Sequence, residues 1–289
     1  MTATITEPTT ADGQQPFGPG VYAGVSNRGY HADPALGSTS LKTLATKTPA
    51  HYIHDKANPK FSDAFTLGTA AHSLILEADT SGIVVVEADN WLTKAAKEAK
   101  SAALAEGKQP LLTKEMAQVW AMHDAVMEHP EAWKLFNGHQ AEQSVFWDED
   151  GLMLKCRPDA WQPGRLVDLK TTVNADPREF GKTAYNFGYH QSAAHYIDGV
   201  KEATGEELPF TFVLVEKTAP YLVSVVELDW EAVSLGRALN DRAKRIYKEC
   251  TAANRWPGYP PSDPIELPPF AVYETEDLLG INNNLELNL

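Results

Sequence analysis

The stretch that most limits what this chain can fold into is Leu152 to Thr172, LMLKCRPDAWQPGRLVDLKTT. Leu152, Leu154 and Cys156 alternate with Met153, Lys155 and Arg157, the period of a strand with one buried face. Pro163-Gly164 suits the two central positions of a tight turn, because Pro sets the first φ and Gly admits a positive second one. Leu166 to Lys170 reads as the returning strand, running into Thr171 and Thr172. A hairpin closed symmetrically about Pro163-Gly164 puts Asp159 opposite Asp168. Lys170, two residues on, shares the face of Asp168.

Two carboxylates facing each other across a ribbon repel, and one of them tends to take up a proton. A divalent cation removes the conflict, since Mg²⁺ favours carboxylate oxygens and keeps several waters. The plainer alternative is a turn-flanking acid beside a solvated Asp168–Lys170 pair. The apolar residues that bracket the acids, and the turn that aligns them, favour the metal site.

Pro158-Asp159 followed by Asp168-Leu169-Lys170 is similar to the PD-(D/E)xK nuclease signature. The helix text GTAAHSLILE, Gly68 to Glu77, precedes it, and Gln191 and Tyr196 follow it. In that order the motifs resemble the RecE-type, phage-encoded exonucleases (exodeoxyribonuclease VIII type) within the RecB-like group, over roughly residues 38–230.

The resemblance implies an α/β fold, a PD-(D/E)xK core whose mixed central sheet is flanked by helices, with an N-terminal helical region. It implies metal binding by His72, Asp159, Asp168 and the backbone carbonyl of Leu169, with Glu142 as a further acid near the metals. On residue type alone, a lone helical histidine such as His72 is a core or rim residue. Imidazole is unusual on Mg²⁺ and suits Mn²⁺, the expected substitute metal. Two ions about 4 Å apart would relieve phosphate charge and assist attack and departure. Lys170 then orients or deprotonates the water, and Gln191 and Tyr196 wall the site. Implied too are 5′ to 3′ digestion of linear duplex DNA, a RecT-like annealing partner, a ring-shaped homo-oligomer and a phage or prophage origin in bacterial cytoplasm. Two alternatives stay open: an endo-acting or structure-specific nuclease of the same fold, and an inactive DNA-binding relative. The presence of both aspartates, the lysine and the histidine opposes the last.

Composition sets the remaining bounds. A net charge of −14 speaks against indiscriminate nucleic-acid binding and requires any DNA contact to be local. Ser40, Lys42 and Arg157 are the candidates for that contact. Six acids and no Lys or Arg follow Pro260, so part of the imbalance is terminal. Cys156 and Cys250 are the only cysteines, which fits a reducing compartment and no disulfide framework. No apolar run approaches the ~20 residues of a membrane span. No P-loop, GxSxG or catalytic Cys–His pattern is present.

Along the chain, residues 1–19 read as a disordered leader, 20–272 as one domain and 273–289 as an acidic flexible tail. Ser38, Thr39 or Ser40 caps a helix with Leu41, Leu44 and Ala45 buried, and Pro49 opens the next. The capping amides serve capping alone or hold a 5′-phosphate. Phe65 to Ala78 is a helix burying Ala71, Leu74, Ile75 and Ala78. A short strand at Ile83 to Glu87 lies outside the core. A helical insert spans about 91–128, with Lys94, Lys97 and Lys100 solvated or facing DNA, and Met116, Val119, Trp120 and Val126 as apolar positions. The core spans 141–230: a first strand Ala141 to Trp147, the hairpin, one helix from Asp176-Pro177 to about Val200, then strands Phe210 to Val215 and Tyr221 to Leu228. The helix Trp230 to Glu249 carries Arg237, Arg242, Lys244, Arg245 and Lys248, either a solvated face or the wall of a DNA channel.

Overall fold

A computed structural model describes residues 16–58 and 67–281. The chain enters through β1 (Gly20–Tyr22) and the short α1 (Asn27–Ala32), then α2 (Ser38–Thr46) and α3 (Pro49–Ala57). Most of the expected leader, residues 1–15, lies outside the described residues. Phe17 is held: its ring stacks on Phe146 at 4.8 Å and its N–H donates to Asp33. Gly37, not a serine or threonine, is the N-cap of α2, which has no side-chain cap bond.

The second helical group begins with α4 (Leu67–Glu77), burying Ala71, Leu74 and Ile75. Ala78 falls past its end at φ +51° and is exposed, so it is not part of the stripe. The insert holds more than helices. β2 (Ile83–Val86) pairs in parallel with β3 (Gln109–Leu112), with α5 (Lys94–Ala105) crossing between them. Next come α6 (Thr113–Glu128) and α7 (Ala132–Phe136). Met116, Val119, Met122 and Val126 form the buried stripe of α6, whereas Trp120 is 45% exposed.

The core follows with β4 (Gln140–Ala141), β5 (Ser144–Glu149), β6 (Leu152–Cys156), β7 (Ala160–Gln162) and β8 (Arg165–Thr172). Asp176 caps α8 (Pro177–Phe187) by accepting from Arg178 N. The single helix expected from Asp176 to Val200 is two. Gly188, left-handed at φ +64°, ends α8 and starts α9 (Tyr189–Thr204). Then come β9 (Phe210–Glu216), β10 (Val223–Glu227) and α10 (Trp230–Ala252).

The main sheet has five strands in the order β10-β9-β8-β7-β4, with β8 and β9 parallel and the other pairs antiparallel. β9 reads FTFVLVE, and its first six residues are buried because both its faces are covered. Phe210, Phe212 and Leu214, with Leu166 of β8, pack on one side with Leu41 and Leu44 of α2, Ile197 of α9 and Ala243 of α10. Val213 and Val215, with Val167 and Leu169, pack on the other side with α4 and α6. The period of two therefore puts Asp168 and Lys170 on the side of α2 and α9. A smaller sheet, β1-β5-β6, stands apart from the main one.

The chain divides into two compact units, Met1–Trp256 and Pro257–Leu289. The expected boundary near residue 272 instead falls inside α11 (Pro269–Leu278), a helix with no buried residue. Among the described residues, no helix is long and apolar enough to cross a membrane.

Candidate active site

The site forms where a long β-ribbon breaks. β5 and β6 pair with Val145 against Cys156, and β4 and β7 with Ala141 against Ala160, one register running through both. Between these halves both chains leave the ladder, at Glu142-Gln143 and at Arg157-Pro158-Asp159. The first core strand expected from Ala141 to Trp147 is therefore split, and Leu152–Cys156 joins the smaller sheet rather than facing β8. Two residues explain the break. Pro158 has no N–H to give a ladder. Glu142 takes a left-handed φ of +51°, a strained conformation for a residue with a Cβ.

The break aligns three carboxylates. The turn at Pro163-Gly164 closes as the symmetric hairpin requires, with Gln162 opposite Arg165, Ala160 opposite Val167 and Gly164 at φ +80°. Asp159 is thus level with Asp168. On its other side Glu142 N donates to Asp159 O at 3.1 Å, so Glu142 is level as well. Asp159 Oδ2 accepts from Leu169 N at 2.7 Å, a side chain taking the place of a missing strand partner. A strand residue presents N–H and C=O to the same neighbour, so the carbonyl of Leu169 faces this open edge too. His72 of α4 closes the group from the opposite layer, its Nδ1 3.6 Å from Asp159 Oδ2.

Charge is crowded here. Burial pushes the Asp168 carboxyl up from its ordinary value; Asp159 adds to the shift and Lys170 opposes it. Glu142 is raised to about 8, first by burial and then by Asp159, with Arg157 pulling back and Glu77 and Asp168 pushing further. Burial alone would lower Lys170, but Asp168 and Asp159 outweigh it and hold it raised, hence an ammonium. Lys170 Nζ rests against Asp168 Oδ2 in a close, hydrogen-bonded ion pair. Among the described residues, no three His, Cys, Asp or Glu side chains already close into a finished metal cage.

Residues 37–266 match the family described as PDDEXK-like domain of unknown function (DUF3799). The chain belongs to this PDDEXK-like family. A comparison with curated protein sequences finds no significant match. Among solved structures, a protein of Eubacterium rectale assigned as an exonuclease superposes with a TM-score of 0.55 at 16% identity, covering 82% of this chain and 96% of that one. A phage-related exonuclease of Haemophilus somnus 129PT aligns at TM-score 0.32 and 12% identity over 76% of this chain and 96% of its own. The alkaline exonuclease of Laribacter hongkongensis aligns at 0.24 and 13% over 63% and 92%. The last two superpose too loosely to carry an argument; the first shows the fold.

PDDEXK-like nucleases generally depend on divalent metal, and these residues fit one. The row of Glu142, Asp159 and Asp168, with the imidazole of His72 and the edge carbonyl of Leu169, makes a donor set whose mutual repulsion a cation would relieve.

The remaining candidates of this PDDEXK-like chain separate. Tyr196 lies close enough to Asp168 and Asp159 for both to raise its phenol, after burial. Gln191 is 1% exposed, and its Nε2 has no hydrogen-bond partner among the described residues. Ser40 lines a cavity of about 920 Å³ together with Ser38, Thr39, Lys155 and Tyr196. Lys42 lies near Lys170; burial and then that neighbour lower it to about 8. Arg157 is not on a DNA-facing surface. Its side chain is 8% exposed and donates to Ser144 Oγ and Val25 O, with Nη1 3.6 Å from Glu142 Oε2, so it braces the acid row from inside.

Two neighbours escaped the sequence. Tyr189 carries Lys170 Nζ 5.3 Å from its ring centroid, and the Gly188 helix break that precedes it was the available signal. Glu77 acts on Glu142 and Arg157 from the end of α4; its spacing from His72 gives no sign of this. On α10, Arg237 pairs with Asp198 and Lys244 with Glu149 and Asp241, while Lys248 makes a loose, exposed pair with Asp150 at 4.0 Å.

Proposed function

We propose that the protein is a metal-dependent exonuclease that hydrolyses phosphodiesters of linear double-stranded DNA, digesting 5′ to 3′ and leaving a 3′ single strand. The observation that carries this reading is the level row of Glu142, Asp159 and Asp168 with the Lys170 ammonium on the same face. Asp159, Asp168, His72, Glu142 and the Leu169 carbonyl would hold Mg²⁺, or Mn²⁺ in its place, as two ions that lower the pKa of bound water and neutralise phosphate charge. Lys170, held as an ammonium, stabilises the negative charge that develops on the phosphate. Tyr196 and Gln191 shape the wall, the latter with an unspent donor. Lys42 adds positive charge for a backbone phosphate. Ser40 and the uncapped amides of α2 are suited to a terminal phosphate.

The resemblance to RecE-type enzymes extends the proposal to a phage-encoded recombination role in bacterial cytoplasm, with a RecT-like annealing partner and a ring-shaped homo-oligomer around DNA. End-labelled linear duplex incubated with Mg²⁺ tests the core of it. Nucleotides should be released from the 5′ end, and closed circular duplex should survive. Asp168→Ala and Lys170→Ala should each lower the rate by roughly a thousandfold without loss of fold. Cutting of closed circles would replace this reading with an endonuclease, and full activity in either variant would overturn the site.

A further inference from the structure

The junction of α8 and α9 carries rings the core does not bury. Tyr185 is 76% and Phe187 63% exposed. Phe187 is nonetheless anchored. Its ring lies nearly parallel to Tyr189, offset, at 5.6 Å and 20°, and Tyr189 lies so to Phe212 at 5.7 Å and 30° and to Phe180 at 6.2 Å and 27°. Phe212 is 1% exposed, so contiguous ring contacts run from the core to solvent. The middle ring, Tyr189, has Lys170 Nζ at 5.3 Å and Lys42 Nζ at 5.8 Å from its centroid. The outer ring is fixed by its backbone as well. Lys42 Nζ donates to Phe187 O at 3.2 Å, and the Lys42 stem passes 3.1 Å from where a Cβ on Gly188 would sit. The protein thus presents a flat aromatic face, on a rigid mount, one ring away from Lys170.

We propose that Phe187 is a stacking platform for a nucleobase of the strand being cut. This rests on the nuclease reading and adds a positioning residue to it. The occupant follows from the surroundings. Two ammonium groups beside these rings suit the phosphates of a single strand, and a bare ring face suits any base, since every base has a π-face. A terminal base can lie on Phe187 with its free face, whereas an internal base reaches the ring only after leaving its own stack. Cleavage would then show little sequence preference.

The test uses linear duplexes carrying one abasic tetrahydrofuran nucleotide at successive positions of the digested strand. In the wild-type protein, removing the base that rests on Phe187 should slow release at that position by about tenfold. Phe187→Ala should slow intact DNA by a similar factor and abolish the abasic penalty, and Phe187→Trp should restore both. Because the ring is exposed, the variants should melt as wild type does. A second readout needs no turnover: 2-aminopurine at the strand end should be quenched on binding wild type in EDTA, but not Phe187→Ala. An equal abasic penalty in wild type and Phe187→Ala, or equal quenching, would overturn the platform while leaving the nuclease standing. If wild type released no nucleotide at all, the nuclease reading would fall, and the quenching result alone would decide whether Phe187 stacks on a base.

Discussion

At the scale of single residues, Glu142 is shifted first by burial and then by the charge of Asp159. Its folded pKa, about 8, lies above the ordinary 4.5. A carboxyl shifted upward favours folding in its protonated form. That contribution is whole below about 4.5 and is lost as the pH rises through about 8. Thermal melts in EDTA should therefore show wild type losing stability across this window relative to Glu142→Gln, which cannot ionise. Parallel curves would mean that Glu142 is not under this pressure. The facing of Asp159 and Asp168 was legible because Pro163-Gly164 fixes a register by itself. Glu142 was read only as a strand start, although the Asp150-Gly151 turn, closed by Glu149 opposite Leu152, sets the register that brings it level with Asp159. Arg157 misled: a basic residue beside a catalytic aspartate looks available to phosphate until its donors are found spent on Ser144, Val25 and Glu142.

At the scale of elements, two helix glycines set how closely the layers approach. A Cβ on Gly236 of α10 would lie 2.2 Å from His190 O of α9. A Cβ on Gly199 of α9 would lie 2.4 Å from the Trp147 ring of β5. Backbone yields less than a ring can. Gly236→Ala should cost about 3 kcal/mol or more and Gly199→Ala about 1–2 kcal/mol in urea unfolding. Gly181→Ala on α8 meets nothing within 4 Å and should gain up to about 1 kcal/mol. An inverted order would mean that α9 and α10 do not pack this closely. The elements themselves followed from local pattern wherever one existed: the capped start of α8, the alternation in β8, the stripe of α4. The breaks did not. Gly188 divides a helix whose amphipathic period continues on both sides, and β3 hides behind Pro110, a residue that argues against a strand.

At the scale of the whole molecule, the sheet is sandwiched between two helical layers and the site opens at an edge between them. Composition spoke against an indiscriminately basic surface, and the most basic helix, α10, pairs Arg237, Lys244 and Lys248 with acids of the same chain. The order of motifs carried the architecture; the partition at Trp256 was not visible, because Pro257–Pro268 resembles any surface loop. Trp256 belongs to the first unit, its ring 5.3 Å from Tyr52 and 5.7 Å from Tyr247. A chain ending at Trp256 should melt within about 2 °C of the full protein and keep its nuclease activity. A chain ending at Ala253 should lose about 3 kcal/mol through the missing indole. Equal melting of the two would place the boundary elsewhere.

The ion pair between Lys170 and Asp168 has one more consequence. The protein carries its own countercharge at Asp168, so the fold forms without the cation, and bound metal adds to a stability already present. Dialysis against a chelator should silence turnover and lower the melting temperature by a few degrees without unfolding the protein. Returned metal should restart the reaction with no refolding step.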